Sequence, residues 1–267
     1  MSGIEQIKNE LTISRVSILG VGVHALSMLQ SLKVAAAWIQ TRQPGYICFT
    51  PAHALMDCYD HPEIRQIYNN SGLTTPDGMP IVWLLRWYGH RNVERVYGPD
   101  FLLEMCKYSL AKGYRHFFYG STIEVLDNLK KSITERYPDL KIVGFESPPF
   151  RSLSEEEEIK LIKRIHDAAP DILWVGLGSP KQEIWMSKFI NRLNVPVLAG
   201  VGAAFDFLSG NKPQAPRWMQ RIGLEWFFRL VTEPRRLWRR YLLQYPRFIF
   251  LVVMQMIGLK KYPMENI

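Results

Sequence analysis

Asp77 stands in Thr74-Thr-Pro-Asp-Gly78, a short polar stretch that leads straight into the apolar run Met79-Pro-Ile-Val-Trp-Leu-Leu85. Pro-Asp-Gly is a common turn string, so a purely structural turn is one reading. A general base is the other, because a carboxylate held against an apolar wall is tuned toward base duty. A second chemical group is Val175-Gly-Leu-Gly-Ser-Pro-Lys-Gln-Glu-Ile-Trp185. Gly176 and Gly178 let the chain turn tightly and bring its backbone near a ligand. Ser179 reads as a helix cap, Pro180 as the first helical residue and Gln182 as the partner in a capping box. A glycine turn feeding a helix N-terminus attracts anions, since unpaired N–H groups and the helix dipole face the ligand. Lys181 and Gln182 add side-chain donors. The third group lies in Leu224 to Tyr241, where Arg229, Arg236 and Arg240 fall about two turns and one turn apart and so share a helix face. Arginine forks suit phosphate oxygens. That face reads as a nucleic-acid surface, a diphosphate grip at a membrane, or a solvated basic stripe.

Several single residues have two readings each. Arg95, before Val-Tyr-Gly-Pro-Asp100, is a solvated surface arginine or a site residue. His53, in Thr50-Pro-Ala-His53, is a satisfied core histidine or a ligand contact. Asp206 follows the turn Gly200-Val-Gly202 among apolar residues and needs a partner, whether its role is structural or catalytic. Gly20-Val-Gly-Val-His-Ala25 matches the G-x-G-x-x-A pattern of dinucleotide enzymes, but Trp38 to Tyr46 lacks the acid that should hold a ribose. The segment reads instead as a plain strand–helix turn, which disfavours an NAD-dependent oxidoreductase. No His/Cys cluster or Asp-x-Asp motif appears, so neither a metal site nor a cofactor is expected.

These groups need a scaffold. Strands are expected at Val16–Leu19, Gly45–Thr50, Arg115–Tyr119, Leu140–Gly144, Asp171–Val175 and Pro196–Ala199. Helices are expected at Ala25–Ile39, Pro62–Asn69, Met79–Tyr88, Pro99–Lys112, from a Ser121 cap to Tyr137, and from a Ser154/Glu157 capping box to Ala169. Thr74–Gly78 is expected as a turn. The alternation argues an α/β fold with a Rossmann-like, mostly parallel sheet flanked by helices. Ligands then gather at the carboxyl ends of the strands, where the glycine turns at 120, 176–178 and 200–202 fall. Gly210 to Pro216 is the best boundary, dividing a core at 1–210 from a helical, basic C-terminal appendage at 211–267.

The chain has 267 residues, 47% of them hydrophobic, and a net charge of +8. From Lys212 to Arg247 there are nine basic and two acidic residues, a local balance of +7. That asymmetry points to a polyanionic partner. Met1 to Leu11 lacks the apolar core of a signal peptide, and no run is long enough to span a bilayer. Cys48, Cys58 and Cys106 read as reduced packing residues of a cytoplasmic protein. Tyr245 to Leu259 reads as an interfacial amphipathic element, a core helix or a homo-oligomer contact.

Taken together, Pro76-Asp-Gly78, Arg95-Val-Tyr-Gly-Pro-Asp100, Val175 to Glu183, Gly200-Val-Gly-Ala-Ala-Phe-Asp206 and Leu224-Glu-Trp-Phe-Phe-Arg229 with Glu233-Pro-Arg-Arg236 resemble the WecG/TagA/CpsF glycosyltransferases, family 26. The resemblance runs from about Gly20 to Arg247. It implies inverting transfer of a sugar from a UDP-sugar to a polyprenyl-diphosphate-linked acceptor in bacterial cell-surface or exopolysaccharide synthesis, without an obligatory metal. It implies an appendage that meets the inner face of the cytoplasmic membrane. By position, Asp77 resembles the catalytic base, Arg95 and Gln182 match polar active-site residues, and Arg229, Arg236 and Arg239 match diphosphate-binding arginines. Many members carry Asn after the strand that ends here at Thr50, and this chain has Thr50-Pro-Ala-His53, with Thr50 and His53 at the substrate contacts. The alternative is a basic nucleic-acid-binding protein with a degenerate Rossmann core, which leaves the Pro-Asp-Gly and Pro-Lys-Gln-Glu strings unexplained.

Overall fold

The computed structural model describes residues 13–264; the signal-peptide expectation for Met1 to Leu11 lies outside them. After a hairpin of β1 (Arg15–Ile18) and β2 (Val21–His24), six strands form one all-parallel sheet. These are β3 (Gly45–Thr50), β4 (Leu73–Pro76), β5 (Arg115–Gly120), β6 (Lys141–Glu146), β7 (Ile172–Gly176) and β8 (Val197–Gly200), in the order β4-β3-β8-β7-β5-β6. The central strands are almost wholly buried, as parallel strands covered on both faces require. Their alternation feeds two cores. Cys48, Leu173, Val175 and Leu198 pack with Leu55, Leu85, Ile165 and Met186 on one face. Ile47, Phe49, Trp174 and Ala199 pack with Phe101, Leu129 and Phe205 on the other. All three cysteines are buried and unpaired, as expected of packing residues.

The helices that cover the sheet are α1 (Met28–Thr41), α2 (Ala52–Asp60), α3 (Pro62–Asn69), α4 (Met79–Trp87), α5 (Gly98–Leu110), α6 (Ile123–Arg136), α7 (Glu155–Ala168), α8 (Lys181–Phe189) and α9 (Ala204–Leu208). The Ser154/Glu157 capping box forms. Three expectations need correction. Gly20 to Ala25 is no strand–helix turn: Val21–His24 pairs antiparallel with Arg15–Ile18, and the helix starts only at Met28 behind a Ser27/Gln30 capping box. No helix N-terminus follows those glycines, so they offer no dinucleotide turn. Thr74 to Pro76 belongs to an edge strand rather than a turn. Pro is tolerated at such an edge because its missing N–H breaks no ladder bond. Thr122, not Ser121, caps the next helix, its hydroxyl accepting from the Val125 N–H.

Beyond Pro216 the regular elements among the described residues are all helical: α10 (Arg217–Arg221), α11 (Glu225–Thr232), α12 (Pro234–Trp238), a π-helical turn (Arg239–Gln244) and α13 (Tyr245–Met256). Helix α13 buries Phe248, Leu251 and Val252 in the core while Ile249, Phe250 and Val253 stay exposed. It is therefore a core helix on one face and an open apolar surface on the other. Its Gln255 donates to the Ser17 carbonyl at 2.7 Å and accepts from the Leu19 N–H at 3.0 Å. Arg247 grips Asp60 of α2 through two 2.7 Å bonds. No helix among the described residues is long and apolar enough to cross a membrane.

Candidate active site

The carboxyl ends of β3, β4, β5, β7 and β8 open on one cavity of about 290 Å³. Parallel pairing sets Gly120 opposite Gly176 and Val175 opposite Gly200, so the glycine turns share one rim. Gly176 has no room for a side chain: a Cβ there would meet the Phe205 ring at 2.5 Å. Gly178 faces open space with φ at +78°, a conformation that favours glycine. Gly202, Ser179 and Gln182 complete this wall. A smaller cavity of about 80 Å³, walled by Met79, Trp226, Tyr241 and Tyr245, adjoins it. The two share Pro51, His53, Asp77, Tyr97 and Arg229.

Asp77 thus sits where a polar cavity meets an aromatic one. Its N–H donates to the Thr50 carbonyl at 3.4 Å, fastening the end of β4 to the end of β3. Arg95 clamps it from the other side. The Arg95 Nε donates to the Asp77 carbonyl at 2.6 Å, and Nη2 lies 2.6 Å from Glu225 Oε2 and 3.5 Å from Asp77 Oδ1. The Tyr97 hydroxyl donates to Glu225 Oε1 at 3.2 Å, and the Arg95 guanidinium lies 4.0 Å from the centroid of its ring. Burial raises the Asp77 pKa to about 7; Arg95 opposes the rise and Glu225 reinforces it. A carboxyl that titrates near neutrality beside a cleft can take a proton at working pH.

Positive charge faces this carboxyl. Arg229, Arg236 and Arg240 all reach the larger cavity. The Arg229 Nε is buried with no hydrogen-bond partner, an open donor at the junction. Burial and the neighbouring Arg229 and Arg236 push the Arg240 pKa below its ordinary value. Burial and the same three arginines hold His53 well below 6.5, so it is neutral at pH 7. Arg236 pairs with Glu233 at 2.5 Å, and Lys212 with Asp206 at 3.1 Å and Glu233 at 3.4 Å. Among the described residues no group of three or more His, Cys, Asp or Glu side chains gathers as a metal site would require.

The structure therefore brings together His53, Asp77, Arg95, Gly176, Gly178, Ser179, Gln182, Gly202, Asp206, Arg229 and Arg236. It separates three others. Thr50 is fully buried, with its hydroxyl on the Cys48 carbonyl at 3.2 Å; it fastens Asp77 through its backbone and does not line the cavities. Lys181 is exposed and borders a different cavity beside Phe150 and Trp185. Arg239 is exposed beside the Trp238 ring, and the π-helical turn carries Arg240 inward instead. The spacing argument had placed Arg240 with Arg229 and Arg236; the positional match to the family had named Arg239. Ser179 is no cap, since α8 begins at Lys181 with Pro180 at the cap position and no side-chain bond. Its hydroxyl meets the Tyr68 hydroxyl at 3.4 Å, and Gln182 is held by Glu183 and the Gly200 carbonyl. Asp206 is tied up by Lys212 and by Asn211 at 3.0 Å. Sequence reasoning missed Lys212, Glu183 and Glu225. The signal for Glu225 was its isolation as an acid within an arginine-rich stretch.

Residues 16–262 match the model of the glycosyl transferase WecG/TagA/CpsF family. The chain belongs to this family. It is 32% identical over 187 residues, 70% of each chain, to a Bacillus subtilis strain 168 protein named N-acetylglucosaminyldiphosphoundecaprenol N-acetyl-beta-D-mannosaminyltransferase. A protein of the same name from Bacillus spizizenii strain W23 is 28% identical over 197 residues, 74% of each chain. Family membership makes this chain a member of a glycosyl transferase family.

Proposed function

We propose that the protein is an inverting glycosyltransferase that moves an N-acetylhexosamine or hexose from a UDP-sugar to a saccharide linked to polyprenyl diphosphate. The observation that carries this is the place of Asp77, at the meeting of a glycine-walled, arginine-ringed cavity and an aromatic one. The acceptor hydroxyl attacks the anomeric carbon from the aromatic side, where Trp226 and Tyr241 offer apolar faces to a sugar ring. Its oxygen forms the new bond as the bond to UDP breaks, and the proton passes to Asp77. UDP leaves with the electron pair, and the glycine-turn N–H groups and Arg229 stabilise the growing negative charge. Arg236 and Arg240 hold the acceptor's diphosphate. The names of the Bacillus relatives, which specify N-acetylglucosaminyl diphosphate on undecaprenol, support this acceptor class.

The appendage from residue 211 carries the +7 balance together with exposed Phe227, Trp238, Leu243 and Phe250. That combination suits peripheral attachment to the inner face of the cytoplasmic membrane, for cell-envelope polysaccharide synthesis. A thermal-shift screen tests the donor. UDP should raise Tm, while NAD and short oligonucleotides should leave it unchanged. Stabilisation by oligonucleotides and not by UDP would favour the nucleic-acid alternative and sink this reading.

A further inference from the structure

The acid next to Gln182 has no place in the chemistry above. Glu183 is completely buried at the start of α8. Its Oε1 accepts from Gln182 Nε2 at 2.9 Å, and the same Nε2 donates to the Gly200 carbonyl at 2.6 Å. Both partners are acceptors, so the amide of Gln182 has only one satisfactory orientation. Its nitrogen points at Glu183 and the strand end, and its oxygen takes the other side. That oxygen is buried and has no partner. It lies against the Gly202 turn, 3.2 Å from where a Cβ on Gly202 would sit, in a side chain that lines the larger cavity.

A buried acceptor without a donor is costly and is rarely left so. From this juxtaposition we infer that Glu183 is a positioning residue that, together with the Gly200 carbonyl, fixes the polarity of the Gln182 amide, so that the site presents an acceptor to an O–H or N–H of the donor sugar. The inference rests on the UDP-sugar reading and deepens it. Glu183 itself lines neither cavity, and the contact proposed for the Gln182 oxygen is with the sugar rather than with UDP. With the amide turned round, Nε2 would face the sugar and the site would select an acceptor group there instead.

Calorimetric binding of UDP and of UDP-N-acetylmannosamine to wild type, Glu183→Gln and Glu183→Met is the test. Glu183→Gln keeps an oxygen able to accept from Gln182, and its NH2 group can donate to the Tyr68 and Ser179 hydroxyls that face Glu183. Glu183→Met keeps the volume and removes the acceptor. Glu183→Met should bind UDP within about twofold of wild type and lose at least tenfold in UDP-N-acetylmannosamine affinity, the scale of one lost hydrogen bond. Glu183→Gln should recover to within about threefold. Should Glu183→Met fail to fold, Glu183→Asp, with its carboxyl drawn back by one methylene, should show the same selective loss. Equal losses for UDP and the sugar nucleotide, no loss in any variant, or Glu183→Gln as damaging as Glu183→Met would overturn the inference. Failure of wild type to bind either UDP compound would instead overturn the UDP-sugar reading itself.

Discussion

Asp77→Asn keeps the shape of the side chain and removes its charge, so it separates catalysis from stability. An unfolded aspartate releases its proton near pH 3.8, whereas Asp77 in the folded protein, held by burial, keeps it to about pH 7. Between those values the native state binds a proton that the unfolded chain has lost. Wild-type stability therefore falls as pH rises through that window and is level above it. At 1.36 kcal/mol per tenfold, the full cost is about 4 kcal/mol. Asn is neutral throughout and escapes this cost. It forfeits the 3.5 Å contact with Arg95, but Arg95 keeps its 2.6 Å bonds to the Asp77 carbonyl and to Glu225. The variant should be about 2–4 kcal/mol more stable than wild type at pH 8, a Tm gain of about 5 °C or more, shrinking towards pH 4. Transfer should fall by about 10²-fold or more with UDP affinity unchanged. Wild-type kcat/KM should rise with pH up to about 7 as the carboxyl ionises. Chemical denaturation and initial rates measured across pH 5–9 supply both readings. A variant less stable than wild type at pH 8, or one turning over within a few-fold of it, refutes the reasoning.

Arg240→Ala should lower transfer at least tenfold while Arg239→Ala stays near wild type, because only Arg240 reaches the cavity; steady-state rates with a lipid-diphosphate acceptor decide, and the reverse order would restore the positional match to the family. Activity should survive EDTA, and a loss that Mg²⁺ or Mn²⁺ restores would reveal a missed site. The full chain should float with anionic vesicles at low salt and detach at high salt, with about 1 kcal/mol from each basic residue near the surface. Truncation at Lys212 should cost cooperative unfolding as well as vesicle binding, since it strips Glu225 from Arg95 and Gln255 from the β1–β2 hairpin; circular dichroism reads the first effect and flotation the second.

The parallel sheet was legible because its buried strands, such as Gly45–Thr50 and Ile172–Gly176, are short apolar runs closed by Gly or Pro. Thr74–Pro76 misled because Pro-Asp-Gly is a strong turn signal, and nothing local shows that an edge strand ends there. Helix α2 went unread because Ala52–Asp60 directly follows a strand and opens without a side-chain cap. The glycine- and arginine-lined end of the cleft was readable from glycines and arginine spacing. The clamp on Asp77 was not, since Arg95 and Glu225 lie 130 residues apart and meet only when α11 docks on the end of β4. Helical spacing grouped Arg240 with Arg229 and Arg236, and all three line the cavity, whereas the positional match to the family named Arg239, which the π-helical turn leaves exposed.

One transfer assay tests the proposed inverting transfer most directly. Purified protein is incubated with UDP-N-acetylmannosamine, parallel UDP-hexoses and a short-chain polyprenyl-diphosphate-linked N-acetylglucosamine, and the lipid product is read by mass and by the configuration of its new linkage. The acceptor should gain a single sugar, with the anomeric configuration of the donor inverted and UDP released in equal amount. Retention of configuration, or an unchanged acceptor alongside an active Bacillus relative across the whole donor panel, would contradict it.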